Sequence, residues 1–375
     1  MPIVLDGSLG VTTPMYNGTI TANAVTPSVN MKNRIINGNM TIDQRNAGAV
    51  VTPTTTTNGF PVDRFQVGVS QNSKLTTQQS TLAPTGFNNS LLITSSSAYS
   101  IVSSDIFAIR SSFEGFNFAD LGFGTASAKT VTLSFWVYSS LTGTFGGALA
   151  NYAANRSYPF SYTISAANTW EQKSITMVGD TSGTWVGASS AGAASLWFGL
   201  GVGSTTSGTA GSWAGADYRS ATGATSVVGT NGATFYITGV QLEVGSTATS
   251  FDYRPYGTEL SLCQRYYEKS YNVGTVPATN TSAGLIVFAA GATSTNVLVR
   301  ATAMFSVAKR ANPTITLYDN VGNVGKISYI DASGSQTNNQ TGGSGFIGEK
   351  SFQCESDYAT SKNGILFHYT ASIEL

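Results

Sequence analysis

The chain has little charge, one histidine, two cysteines and no long apolar run. Nineteen Lys and Arg balance nineteen Asp and Glu, and together they make up 10% of the 375 residues, against about a quarter of an ordinary globular chain. So few cations cannot build the basic face that phosphate neutralisation needs, which excludes nucleic acid as a partner. No stretch reaches the roughly 20 apolar residues of a membrane span, so membrane insertion is not expected. The opening "MPIVLDGSLG" lacks the basic and apolar regions of an export signal.

With His368 as the only histidine, no Ser-His-Asp set can be assembled. It falls on the outward parity of the last strand pattern and reads as a structural or surface residue. Cys263 and Cys354 are too few for a disulfide framework and too far apart in sequence for a metal motif. Both read as buried small apolar residues, with one bridge between them as the alternative. Asp105, Glu114, Asp120, Glu171, Asp180 and Asp217 are raw material for a glycosidase carboxylate pair, yet no spacing selects two of them. The expectation is a protein that is not an enzyme and has no cofactor. No metal is assigned either, although oxygen-rich "GDTSG" leaves calcium open.

Serine, threonine, asparagine and glycine carry the solubility instead. Short apolar runs alternate with clusters of these residues and proline, the pattern of an all-β chain with many turns. Residues 1–33 lack an apolar cluster and read as an extended arm ordered by partners or not at all. Residues 34–257 read as a jelly-roll β-sandwich, with strands at 62–69, 90–96, 98–106, 130–140, 170–179, 195–203 and 234–244. Residues 258–375 read as a smaller C-terminal β-sandwich. It is entered by a short helix capped at Thr258, with strands at 284–290, 296–308, 313–319, 325–331 and 364–375 and an exposed loop at 331–345.

In "TFYITGVQLEVG" (234–245), Phe235 and Ile237 share one parity while Val240, Leu242 and Val244 share the other. One extra residue at Gly239 would return all five to one face, so a bulge is expected there. Asp43, Arg45, Asp63 and Arg64 are expected to pair as buried ions that fix the chain's direction into the sandwich.

A sugar needs a flat ring to stack on, with amides, hydroxyls or arginine beside it. Three places offer this. Trp136 and Tyr138 lie opposite the apolar parity of their strand, where they face either a ligand or a subunit or second core. Tyr152, Asn155, Arg156 and Tyr158 fall in a polar loop, and Trp213, Tyr218 and Arg219 in the long loop 205–233. Trp170 and Trp197 sit in apolar strand patterns and read as core, and Trp185 is left between the two readings.

"NRIINGNMTIDQRNAG", "VDRF", "VTLSFWVYSSLTGTF", "TFYITGVQLEVGSTATSFDYRPYGTELSLCQRYYEKSY" and the terminal "FHYTASIEL" together resemble a group of bacteriophage tail-fibre and virion-surface proteins. The central region is similar to the jelly-roll carbohydrate-binding modules appended to polysaccharide-degrading enzymes. The resemblance implies a tail-fibre or head-fibre protein on the virion surface, often a homotrimer. Its arm would attach to other virion proteins while its β-domains meet host surface polysaccharide. Residue-level binding roles do not carry over. A capsid or tail decoration protein that stabilises its neighbours is the second expectation, and a glycan depolymerase the third.

Overall fold

The computed structural model describes residues 31–289, 298–357 and 362–375. All but the last three residues of the expected arm, and parts of the expected strands at 284–290 and 296–308, lie outside the described residues.

Alternating side chains divide the larger body into two antiparallel sheets. One holds, in spatial order, Gly59–Val62, Phe65–Val69, Ile106–Glu114, Gly192–Val202, Gly143–Asn151 and Ser157–Ile164. The other holds Leu75–Ser80, Ser90–Ser95, Thr234–Val244, Val131–Ser139 and Glu171–Met177. Val67, Ile109, Leu196, Phe198 and Leu149 of the first face Leu75, Ile93, Ile237, Leu133 and Phe135 of the second across one apolar core. The non-consecutive strand order makes this an all-β sandwich of the jelly-roll kind.

The bulge forms at Gly239. Pairing with Val131–Ser139 runs from Thr238↔Trp136 to Gln241↔Ser134, so two residues oppose one. Gly239 has φ +61°, and a Cβ there would stand 2.7 Å from the Phe87 ring and 3.0 Å from that of Trp136. Glycine answers both demands. Phe235, Ile237, Val240 and Leu242 are consequently all buried, whereas Val244, at the strand's end, is exposed.

Four expectations need correction. Residues 98–105 are a loop and the strand is Ile106–Glu114, because Asp105 folds the chain back. Its carboxylate accepts hydrogen bonds from Val102 N (2.8 Å), Ser70 Oγ (2.7 Å) and Tyr99 Oη (2.9 Å). The run 62–69 is a hairpin broken at Arg64, which has φ 69°. Most of the polar loop expected at 331–345 is the strand Gln336–Gly345, held by backbone pairing on both sides while its polar side chains face outward. The helix is Tyr256–Gln264 with Pro255, not Thr258, at its N-cap.

Among the described residues, the C-terminal body is one hydrogen-bonded network of eight strands: Tyr267–Lys269, Ile286–Ala289, Arg300–Met304, Thr314–Tyr318, Lys326–Ile330, Gln336–Gly345, Ser351–Ser356 and Gly364–Ser372. The last of these is central. Its first half pairs with Ile286–Ala289 and Lys326–Ile330, its second with Tyr267–Lys269 and Thr314–Tyr318. Ile365, Phe367 and Tyr369 fill a second core, and the opposite parity, Leu366, His368 and Thr370, is covered too. His368 is therefore structural and not on the surface. Its Nδ1 lies 2.9 Å from Ser270 Oγ, its Nε2 lies 3.0 Å from Thr281 O, and its ring stacks on Tyr271 at 3.9 Å. Burial lowers its pKa. Cys263 and Cys354 are free and buried, and burial pushes the Cys354 thiol up to about 12.

Buried charges join the two cores within one unit, Asn33–Leu375. Arg45 pairs with Asp63 at 3.0 Å and Glu374 at 2.8 Å, and Arg64 also pairs with Glu374. Asp43 instead holds a turn, accepting from the backbone N–H of Arg45, Asn46 and Gly48. Thus Arg45 and Asp63 pair as expected, while the partner of Arg64 comes from the chain's far end. Glu114 adds a second tie, accepting from Arg265 at 2.6 and 2.9 Å and from Tyr266 Oη at 2.8 Å.

Candidate functional site

On the six-stranded sheet, alternation that sends Phe65, Val67, Ile109, Leu196 and Phe198 inward sends Gln66, Gly68, Arg110, Ser195 and Trp197 outward. Register aligns Gln66, Arg110 and Trp197 in one row across three strands. A second row, Gly68, Ala108 and Gly199, has almost no side chain. Its small residues let the chain come close. A Cβ on Gly199 would stand 2.6 Å from Ser220 Oγ, and one on Gly146 2.5 Å from the same atom. The long loop therefore lies down on the sheet, pinned by a short parallel pairing of Ser207–Gly208 with Ser220–Ala221.

That contact makes a wall. Between it, the strands and the 151–156 turn runs a groove of about 360 Å³, lined by Trp197, Tyr152, Arg110, Arg219 and Asp217 with Asn58, Gln66, Asn151 and Ser195. The Arg219 guanidinium lies 4.8 Å from the Trp197 ring and pairs with Asp217 at 2.8 Å. Arg110 sits 5.2 Å from the Trp197 ring and 5.0 Å from that of Tyr152, and its Nε donates to Ser195 Oγ at 3.0 Å. The Tyr152 ring rests on Gly192, where a Cβ would come within 2.5 Å of it. Trp197 is half-buried and Tyr152 is 39% exposed. The groove thus offers aromatic faces held by cations, with amides and hydroxyls around them.

Of the nine residues singled out from sequence, Tyr152 and Arg219 line this groove. Asn155 and Arg156 close the turn beside it. Asn151 Nδ2 donates to Asn155 Oδ1 at 2.7 Å, and Arg156 pairs with Asp180 at 2.5 Å. Tyr158 belongs to a strand rather than a loop and is buried. Trp213 turns inward against Phe123, Tyr158 and Trp185, its Nε1 donating to Val178 O at 2.7 Å. The Tyr218 ring lies on Gly208. Trp136 and Tyr138 stand on the other sheet. Trp136 lies beside Gly239, while Tyr138 clusters with Trp170 and Tyr236 at 5.5 and 5.2 Å. Trp185 stacks on Phe118 at 5.6 Å with its Nε1 3.2 Å from Asp180, so it packs against the core.

Trp197 was expected in the core and is instead the centre of the groove; Trp170 is likewise only half-buried. The signal was present: in "SLWFGLGVG", Ser195, Trp197 and Gly199 share the parity opposite to Leu196, Phe198 and Leu200. Arg110 and Gln66 were missed because their significance is the row they form across strands.

The carboxylates are engaged in fold contacts. Asp120 pairs with Arg34 at 2.5 Å, Glu171 with Lys173 at 2.5 Å and Asp180 with Arg156. Asp180 also accepts from Ser182 N at 3.1 Å, so "GDTSG" spends its carboxylate on the protein itself. No group of three or more His, Cys, Asp or Glu that could hold a metal ion occurs among the described residues.

No protein-family model matches the chain, and no curated protein matches it in sequence. Solved structures similar to it include the enzymatically active domain of tailspike protein 4 from bacteriophage CBA120, with TM-score 0.30 and 11% identity over 48% of this chain. The match spans 19% of that tailspike chain. A family 11 carbohydrate-binding module from Clostridium thermocellum, solved with a β-1,3-1,4-mixed-linked tetrasaccharide, has TM-score 0.27 and 12% identity over 50% of this chain and 91% of its own. A putative sugar-binding protein from Bacteroides thetaiotaomicron has TM-score 0.31 and 9% identity over 57% of this chain and 100% of its own.

Proposed function

We propose that the outer face of the six-stranded sheet binds a polysaccharide without cleaving it, on the surface of a phage particle. The observation that carries the binding reading is the groove around Trp197. A half-buried indole, held by two guanidiniums and flanked by Tyr152, offers a stacking platform for the apolar face of a pyranose. Gln66 and Asn58 supply partners for its hydroxyls. One carboxylate, Asp217, lines the groove, and it is paired with Arg219. That supports adhesion over glycosidic hydrolysis, which uses two carboxylates across the scissile bond.

The virion assignment rests on the sequence resemblance. In it, residues 1–33 attach to other virion proteins, the chain is a homotrimer, and weak single-site binding is multiplied across copies. Affinity electrophoresis of the full chain through gels loaded with bacterial surface polysaccharides tests the binding. At least one should retard wild type, W197A should run free, W136A should remain retarded, and no new reducing ends should form. Equal retardation of W197A and wild type would contradict the assignment of the groove. Immunogold labelling of intact particles tests the address.

A second reading, a decoration protein holding its neighbours, draws on one feature. Tyr138, Trp170 and Tyr236 form a half-exposed cluster on the opposite sheet.

A further inference from the structure

Every arginine but one is committed within the fold. Arg34, Arg45, Arg64, Arg156, Arg219, Arg254, Arg265 and Arg300 each pair with a carboxylate. Arg310 donates to three backbone carbonyls, those of Ile373, Ser190 and Glu374. The exception is Arg110. Its Nε is fixed by Ser195, while its two terminal nitrogens make no hydrogen bond to the described residues. They are not among the buried unpartnered atoms either, so they open onto the groove. The charged groups lining that groove are Arg110, Arg219 and Asp217. The last two neutralise each other at 2.8 Å, which leaves one uncompensated positive charge on the row that carries Trp197.

Contacts with the two rings and with Ser195 hold Arg110 in place but leave its charge without a counter-ion. The arrangement suits a ligand that brings the missing anion. A guanidinium whose Nε is already bound presents its two terminal N–H groups as a fork, and a carboxylate matches that fork with two parallel hydrogen bonds. Tyr152 and Trp197 on either side keep the fork from swinging away and receive the sugar ring that bears the carboxylate.

We infer that the groove selects an acidic polysaccharide, one whose repeating unit carries a uronic acid, with Arg110 as the specificity-determining residue. The inference rests on the groove being the glycan site. Calorimetric titration of the full chain with oligogalacturonate, oligoguluronate and oligoglucuronate, each beside its carboxyl-reduced neutral counterpart, separates the two claims. At least one acid should bind about tenfold more tightly than its reduced form, the scale of one charge-assisted bond. In R110Q that preference should fall below about twofold, because the acid weakens far more than the neutral sugar. In wild type, raising salt to about 0.5 M should weaken the acid and spare the neutral form. Neutral forms that bind as well as the acids, or R110Q losing both equally, would overturn the acidic specificity while leaving the groove as a sugar site. Absence of binding to all three acids would overturn the acidic specificity, and acid binding that W197A and R110Q both leave unchanged would overturn the groove itself.

Discussion

Gly68 shows how much of the groove depends on what is absent. It lies on the floor, one row from Trp197, and the nearest atom to a Cβ built there is Asn58 Oδ1 at 3.6 Å. Gly68→Leu should therefore fold without strain, and even gain a few tenths of a kcal/mol because glycine is unfavourable within a strand. Its side chain would occupy the space meant for a ligand. Thermal melts should match wild type or exceed it while glycan retention is lost; retention unchanged would place the ligand elsewhere. Asp63 carries a different test. Burial raises its pKa to about 6 against the pull of Arg45 and the Gln44 side chain, with nearby Glu374 adding to the rise. A carboxyl raised in the folded state contributes stability that is full below its unfolded value near 4 and is lost as pH rises through 6. Asp63→Asn lacks this dependence. Measured by urea unfolding, it should gain on wild type between pH 4 and 6 and show no further change above; a difference flat in pH would contradict the burial argument.

The strand Thr234–Val244 illustrates what alternation can tell at the scale of an element. Its parity break located the bulge at Gly239, because a buried face punishes a slipped register along its whole length. Gly239→Ala should cost about 2 kcal/mol, from left-handed backbone and displaced Phe87 and Trp136 rings, as read from a denaturant midpoint. A loss below about 0.5 kcal/mol would mean the bulge needs no glycine. Other strands gave no such sign. Gly143–Asn151 is glycine-rich because the long loop lies on Gly143 and Gly146 and the Phe160 ring on Gly147. Ser157–Ile164 carries Pro159, which its position at the end of the sheet tolerates. Gln336–Gly345 has no apolar residue to mark it, since its backbone pairs on both sides and Gln336 and Asn338 hydrogen-bond to Asn320 and Ser328. Half of the site was hidden for a related reason. Tyr152 and Arg219 stood out by composition, but Trp197, Arg110 and Gln66 become a site only when three strands bring them into register.

Across the whole molecule, the chain's far end closes back on the start of the sandwich. Glu374 is shared by Arg45 and Arg64, both nearly or fully buried, and lies beside carbonyls that hold Arg310. Removing it leaves Arg64 without a carboxylate and Arg45 with Asp63 alone, so Glu374→Ala should cost about 3 kcal/mol. Because this contact is one of two ties between the cores, beside that of Glu114, calorimetry should show one unfolding transition for wild type and a lower, broader one for the variant; an unshifted transition would contradict the coupling. The groove on the outer face of the six-stranded sheet is where a sugar should bind. A crystal structure of the full chain with a bound oligosaccharide is the most direct measurement. A sugar ring should stack on Trp197, within hydrogen-bond reach of Arg110 and Gln66. A sugar seated instead on Trp136 and Tyr138, or on the C-terminal body, with the groove empty, would contradict it.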